Sequence, residues 1–77
     1  MTINRREENK ATVLAAIKEW YKSYDFGPSY RDLSRPDGLT DISLGTVYVV
    51  CQELREDGKI EFDEGRARSI RLLRGRR

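Results

Sequence analysis

The sequence predicts a mainly α domain finished by a small β-hairpin. Three observations carry this: apolar residues recur at three- and four-residue spacing in the first two-thirds, two short alternating runs follow, and breaker residues stand at each junction. A chain of 77 residues has room for one core, because domains of this size bury only roughly 60–65% of the surface their unfolded chains expose.

The first helix is expected over residues 5–24. Asn4 followed by Glu7 is an N-cap signature, the side-chain oxygen taking a free backbone N–H. Val13, Leu14, Ile17, Tyr21 and Tyr24 form one apolar stripe, with Trp20 at its edge as a core or rim residue. Asp25-Phe26-Gly27-Pro28 ends it, Gly27 being able to take a left-handed conformation and Pro28 unable to continue a helix. Ser29 with Asp32 starts a short second helix over residues 30–35, with Leu33 facing inward and Pro36-Asp37-Gly38 turning the chain. Ser43 is the best N-cap for a third helix over residues 44–57, closed by Gly58. Its inward face is Val47, Val50, Cys51 and Leu54, which leaves Gly45, Thr46, Tyr48, Val49 and Gln52 on the outer faces.

The period then changes to two. Lys59-Ile60-Glu61-Phe62-Asp63 and Ser69-Ile70-Arg71-Leu72 alternate, so strands are expected over residues 59–63 and 69–73. Ile60, Phe62, Ile70 and Leu72 would lie against the helices, and the Glu64-Gly65-Arg66-Ala67-Arg68 loop would carry Arg66 and Arg68 outward. Tyr21, Tyr24, Phe26 and Phe62 are read as core aromatics. The domain thus runs over residues 1–73, with a basic tail at 74–77.

Composition narrows the chemistry. The chain has no histidine and one cysteine, which removes the commonest general base, any intramolecular disulfide and a zinc site of ordinary composition. Asp25, Asp32, Asp37 and Asp41 are turn and cap residues, not a catalytic pair. No enzyme and no cofactor is expected. The longest apolar run, Val47 to Cys51, is far short of the ~20 residues that span a membrane, and no signal-peptide pattern follows Met1. The expected location is the cytoplasm, in association with the nucleoid.

The net charge of +2 conceals an uneven distribution. Residues 1–64 hold nine Lys/Arg and thirteen Asp/Glu, whereas residues 65–77 hold six arginines (Arg66, Arg68, Arg71, Arg74, Arg76, Arg77) and no acid. A basic end on an acidic body implies a polyanionic partner met from one side. Arginine in place of lysine suits bidentate contact with phosphate or base edges.

Three helices followed by a hairpin are the parts of a winged helix-turn-helix. The major groove, about 12 Å wide, admits one helix, and a hairpin loop beside it can reach flanking phosphates or the minor groove. Within this order, Phe26-Gly27-Pro28-Ser29-Tyr30-Arg31-Asp32-Leu33 resembles the start of the second helix in the LexA repressor DNA-binding domain. Ser43-Leu44-Gly45-Thr46-Val47 with Leu54-Arg55-Glu56-Asp57-Gly58-Lys59-Ile60 resembles its recognition helix, and Gly65 to Leu73 its wing and final strand. The resemblance implies double-stranded DNA as partner, with base contacts from Ser43, Gly45, Thr46, Tyr48 and Val49. Tyr30, Arg31, Gln52, Arg66, Arg68 and Arg71 complete the expected DNA-binding set. Tyr48 and Val49 stand where the family pattern has polar groups, so a different operator is expected. The family's self-cleaving serine–lysine domain has no counterpart in these residues. The expectation is therefore a small transcriptional repressor or activator, acting as a homodimer on DNA, of the kind common in phages and mobile elements.

Two other functions fit the same residues. The Tyr48-Val49 patch on an acidic body suits a protein-interaction module, such as a phage antirepressor or cofactor, with a protein partner in place of DNA. The scarcity of Lys/Arg on the third helix suits an architectural protein that binds DNA without sequence preference.

Overall fold

The computed structural model describes residues 5–35, 38–66 and 68–73. Asn4, the Pro36-Asp37 part of the turn, Ala67 and the 74–77 tail lie outside the described residues. Three helices, α1 (Arg5–Tyr21), α2 (Tyr30–Leu33) and α3 (Leu44–Glu56), precede two strands, β1 (Ile60–Glu61) and β2 (Arg71–Leu72). The strands pair antiparallel, Ile60 opposite Leu72 and Glu61 opposite Arg71. This is the helix–helix–helix–hairpin order of a small winged helix. No described helix is long and apolar enough to cross a membrane.

α3 is the central element, and α1, α2 and β1 all pack on it. The core is built from Val13, Ala16 and Ile17 of α1, Leu33 of α2, Val47, Val50, Cys51 and Leu54 of α3, and Ile60, Phe62 and Ile70 of the hairpin. Leu14, Tyr21, Tyr30, Ile42 and Leu72 cover its margin. Two ion pairs tie α1 to α3 and its C-cap: Arg6 Nε to Glu53 Oε2 at 2.6 Å and Lys10 Nζ to Asp57 Oδ2 at 2.6 Å.

Each junction has an identifiable chemical cause. Ser29 and Asp32 form a reciprocal capping box: the Asp32 N–H donates to Ser29 Oγ (3.1 Å) and the Ser29 N–H to Asp32 Oδ2 (2.9 Å). α3 ends in a Schellman motif, the Gly58 N–H donating to Arg55 O (3.0 Å) and the Lys59 N–H to Leu54 O (2.9 Å), with Gly58 at φ 78°. The α2–α3 turn is knit by Arg35 N–H to Ile42 O (2.9 Å) and Leu39 N–H to Asp32 O (2.9 Å). The Thr40 hydroxyl also donates to Leu33 O.

Several boundaries and environments differ from those the sequence implies. α1 ends at Tyr21, three residues before the expected Tyr24. The Lys22 and Ser23 amides turn to the carbonyls three residues back (3.1 and 3.0 Å), and the Trp20 indole N–H donates to Phe26 O (2.6 Å), folding the chain over Trp20. Tyr24 and Phe26 are consequently 45% and 47% exposed, and buried Pro28 occupies the core side of the connection instead. Gly27 does not take the left-handed conformation expected of it. What it supplies is space, since a Cβ there would collide with the Ile70 carbonyl and lie 3.0 Å from the Ile70 N. α2 stops at Leu33, two residues short, because the Ser34 amide turns back to Arg31 O and leaves the helical path. α3 stops one residue short, with Asp57 as its C-cap. The strands are two residues each where five were expected. Phe62 and Ile70 are buried as anticipated but lie outside the ladder, where Ser69 Oγ bonds the Asp63 and Arg66 backbone instead.

Candidate nucleic-acid interface

The N-terminal half of α3 presents a surface free of charge. Its first turn holds no acid, and Gly45, Tyr48 and Val49 face outward, Tyr48 at 44% and Val49 at 51% exposure. Leu44 is exposed beside them, which the inward/outward assignment of this helix did not anticipate. Ser43 is the N-cap, but its side chain does not cap. Its hydroxyl bonds Thr46 Oγ1 at 3.0 Å, so the first-turn amides receive no acceptor from it.

α2 and the hairpin loop flank this surface. Tyr30, Arg31, Leu44, Arg66 and Arg68 line a shallow groove of about 260 Å³ between the start of α2, the start of α3 and the wing. The Tyr30 ring stands edge-on to Tyr48 (centroids 5.3 Å apart) and to Phe62 (6.2 Å), linking the outer face of α3 to the core. Burial pushes the Tyr30 hydroxyl up to about 12. Among the described residues, neither Arg31 nor Arg66 makes an ion pair, and both are exposed.

The other wing arginines are placed differently from expectation. Arg68 does not project from the loop tip. With its backbone at φ 58°, it stays exposed but lies along the surface: its guanidinium bonds Asp32 Oδ2 at 2.8 Å and sits over the rings of Phe26 (5.3 Å) and Trp20 (5.8 Å). Arg71 faces its neighbouring acids, Glu61 at 3.1 Å and Asp63 at 3.9 Å. The asymmetry in sequence charge is therefore partly cancelled in space, because the acids just before residue 65 fold onto the arginines just after it.

Gln52 is also committed to the wing. Its amide donates to Glu64 Oε2 at 3.4 Å, and Arg55 bonds the same oxygen at 2.7 Å while stacking over Phe62 (4.7 Å). Glu64 was not singled out by sequence; a lone acid in a loop carries no signal of which helix it will meet. The structure thus brings Tyr30, Arg31, Tyr48 and Arg66 around one surface, with Gly45 and Val49 exposed on the same helix. Arg68 lines the same groove but is ion-paired with Asp32, and Arg71 is paired with Glu61 and Asp63. Comparison with protein-family models, curated proteins and solved structures finds no match to this chain.

Proposed function

We propose that the chain is a DNA-binding transcriptional regulator whose α3 enters the major groove and whose wing grips the flanking backbone or minor groove. The observation that carries this reading is the acid-free first half of α3, flanked by Arg31 and Arg66, two exposed arginines that make no ion pair among the described residues. Cations on either side of a helix N-terminus suit two phosphate contacts, and uncapped amides suit a third. The Tyr48 hydroxyl and Thr46 can hydrogen-bond base edges, and Val49 can meet a thymine methyl. The similarity of the sequence to the LexA DNA-binding domain supports the same assignment, as does the hairpin order. One reading head of this size supplies limited specificity, so the proposal includes a homodimer on a two-half-site operator. It places the protein at the cytoplasmic nucleoid as a repressor or activator of phage or mobile-element type.

Selection from random duplexes, followed by anisotropy at several salt concentrations, tests it. Enrichment of a defined consensus, with affinity falling as salt rises, supports the proposal. Absence of any enriched sequence together with salt-indifferent affinity overturns it. Enrichment of none with strong salt dependence leaves an architectural, sequence-neutral binder in its place.

A second reading rests on a specific observation: Leu44, Tyr48 and Val49 form an apolar patch at the position where a base-reading helix is ordinarily polar. Such a patch suits a protein-interaction module. Replacing Arg31 and Arg66 together by Ala abolishes DNA binding under the first reading and leaves partner capture intact under the second.

A further inference from the structure

Away from α3, three aromatic rings lie together at the surface. Trp20 stacks on Tyr24 with centroids 4.1 Å apart, and Phe26 meets both, at 5.9 Å from Trp20 and 5.5 Å from Tyr24. Tyr24 and Phe26 are about half exposed, so this cluster is not a core that happens to reach the surface. It already holds one guanidinium. Arg68 lies over Phe26 and Trp20 while its charge is met by Asp32, which is cation–π contact closed by a carboxylate.

Beside this seat is a second recess of about 380 Å³, lined by Glu19, Trp20, Ser23, Tyr24, Asp32 and Leu39. It shares Trp20 and Asp32 with the Arg68 seat, and among the described residues no Lys or Arg side chain lines it. Glu19 is held only by an exposed contact with Lys22 at 3.4 Å, and among the described residues Asp32 Oδ1 accepts no hydrogen bond. A recess with rings, a Glu19 carboxylate held only by a long exposed pair and an open Asp32 Oδ1 can take a second guanidinium beside that of Arg68.

The chain itself carries such side chains. Residues 1–64 are net acidic, and beyond Leu73 the sequence reads Arg74-Gly75-Arg76-Arg77. We propose that the Trp20–Tyr24–Glu19–Asp32 recess of one copy binds an arginine from residues 74–77 of a second copy, so that the protein self-associates through its acidic body and basic end. Two such contacts made reciprocally close a dimer, and a non-reciprocal contact would propagate. This goes beyond the proposed function, since it does not depend on DNA and uses neither α3 nor Arg66.

The test is made without DNA. Trp20 is the sole tryptophan, so its emission reports directly on the recess. Sedimentation equilibrium of the full chain at low and high salt should show a dimer that weakens as salt rises. Replacing Arg74, Arg76 and Arg77 by Ala should weaken association about tenfold or more, and Glu19→Lys should do the same. A synthetic peptide of residues 69–77 should shift Trp20 emission of the triple-alanine variant saturably. A monomer at all concentrations, or a dimer indifferent to both variants, overturns the proposal. So does a Trp20 signal that is present in the intact chain but independent of its concentration, which would mean that each tail occupies its own recess. Loss of dimerisation with DNA selection intact, or the converse, separates this proposal from the function proposed above.

Discussion

Arg68 and Asp32, thirty-six residues apart in sequence, meet at 2.8 Å, and the Asp32 oxygen that receives the guanidinium also accepts the Ser29 amide that begins α2. One carboxylate oxygen therefore serves a helix cap and a wing tether at once. Asp32→Ala removes both and is expected to cost about 1–2 kcal/mol, of which the cap is the larger part. Arg68→Ala, which removes only an exposed pair and its ring contacts, is expected to cost about 1 kcal/mol or less. Urea unfolding of the two single variants and the double variant checks the order, and a smaller loss in Asp32→Ala than in Arg68→Ala would contradict it.

Two glycines should respond oppositely to the same methyl group. Gly27→Ala drives a Cβ into the Ile70 backbone, which cannot yield as a side chain would, so destabilisation by about 2 kcal/mol or more is expected. Gly45→Ala meets nothing within 4 Å and sits in a helix, where alanine is favoured by up to about 1 kcal/mol. Thermal melts of the two variants should move in opposite directions.

Leu33 is the sole buried residue of α2 and is fully enclosed. Leu33→Ala is expected to lose about 2–5 kcal/mol, a large part of what a domain this small possesses. Circular dichroism should show a broad transition or none. A variant melting within a few degrees of the parent would show that α2 contributes little to the core.

Alkali should unfold the protein before acid-base chemistry elsewhere would suggest. Burial pushes the Cys51 thiol and the Tyr30 hydroxyl each up to about 12, from ordinary values of 9.0 and 10.0. For an acid whose folded value is raised, the native state holds the proton more tightly. The associated stability is complete below the unfolded value and declines as pH rises from about 9 toward 12. The urea midpoint should fall over that interval. Cys51→Ala should flatten its early part, against a lower midpoint overall from the lost packing.

The free and the paired wing arginines should differ in DNA binding. Arg66→Ala removes one phosphate contact and should lower the slope of log affinity against log salt by about 0.9. Arg71→Ala, whose charge is spent on Glu61 and Asp63, should leave the slope nearly unchanged. Equal changes in slope would mean that Arg71 leaves its acids when DNA binds.

The features legible in the sequence were those with short-range causes. The Ser29–Asp32 box and the Gly58 stop follow from residues within about five positions of one another, the inward set of α3 from a repeat over Val47 to Leu54, and the hairpin from two alternating runs around one loop; each is found, the hairpin with shorter strands. The misplacements share a different cause. Tyr24 and Phe26 continue the stripe of α1 by spacing, but they are turned outward by a bond from the Trp20 indole, and no periodicity encodes that. Arg68 reads as an outward wing residue until Asp32, from another element, supplies its partner. Glu64 joins Gln52 and Arg55 for the same reason. Tertiary pairing of charges is invisible to a count of charges along the chain: Arg68 and Arg71 are exposed, as the sequence implies, but ion-paired, which it does not.

The Schellman motif at Gly58 has a geometric consequence for recognition. Only residues 57–59 separate the end of α3 from the start of β1, and their hydrogen bonds fix the direction in which the chain departs. The hairpin is thereby set at a constant pitch to α3, as a second prong is set on a fork. Any surface gripped by both must match that one interval. The length of the footprint is then a property of the turn, and lengthening it by a single residue would re-aim the wing without altering a side chain that touches the target.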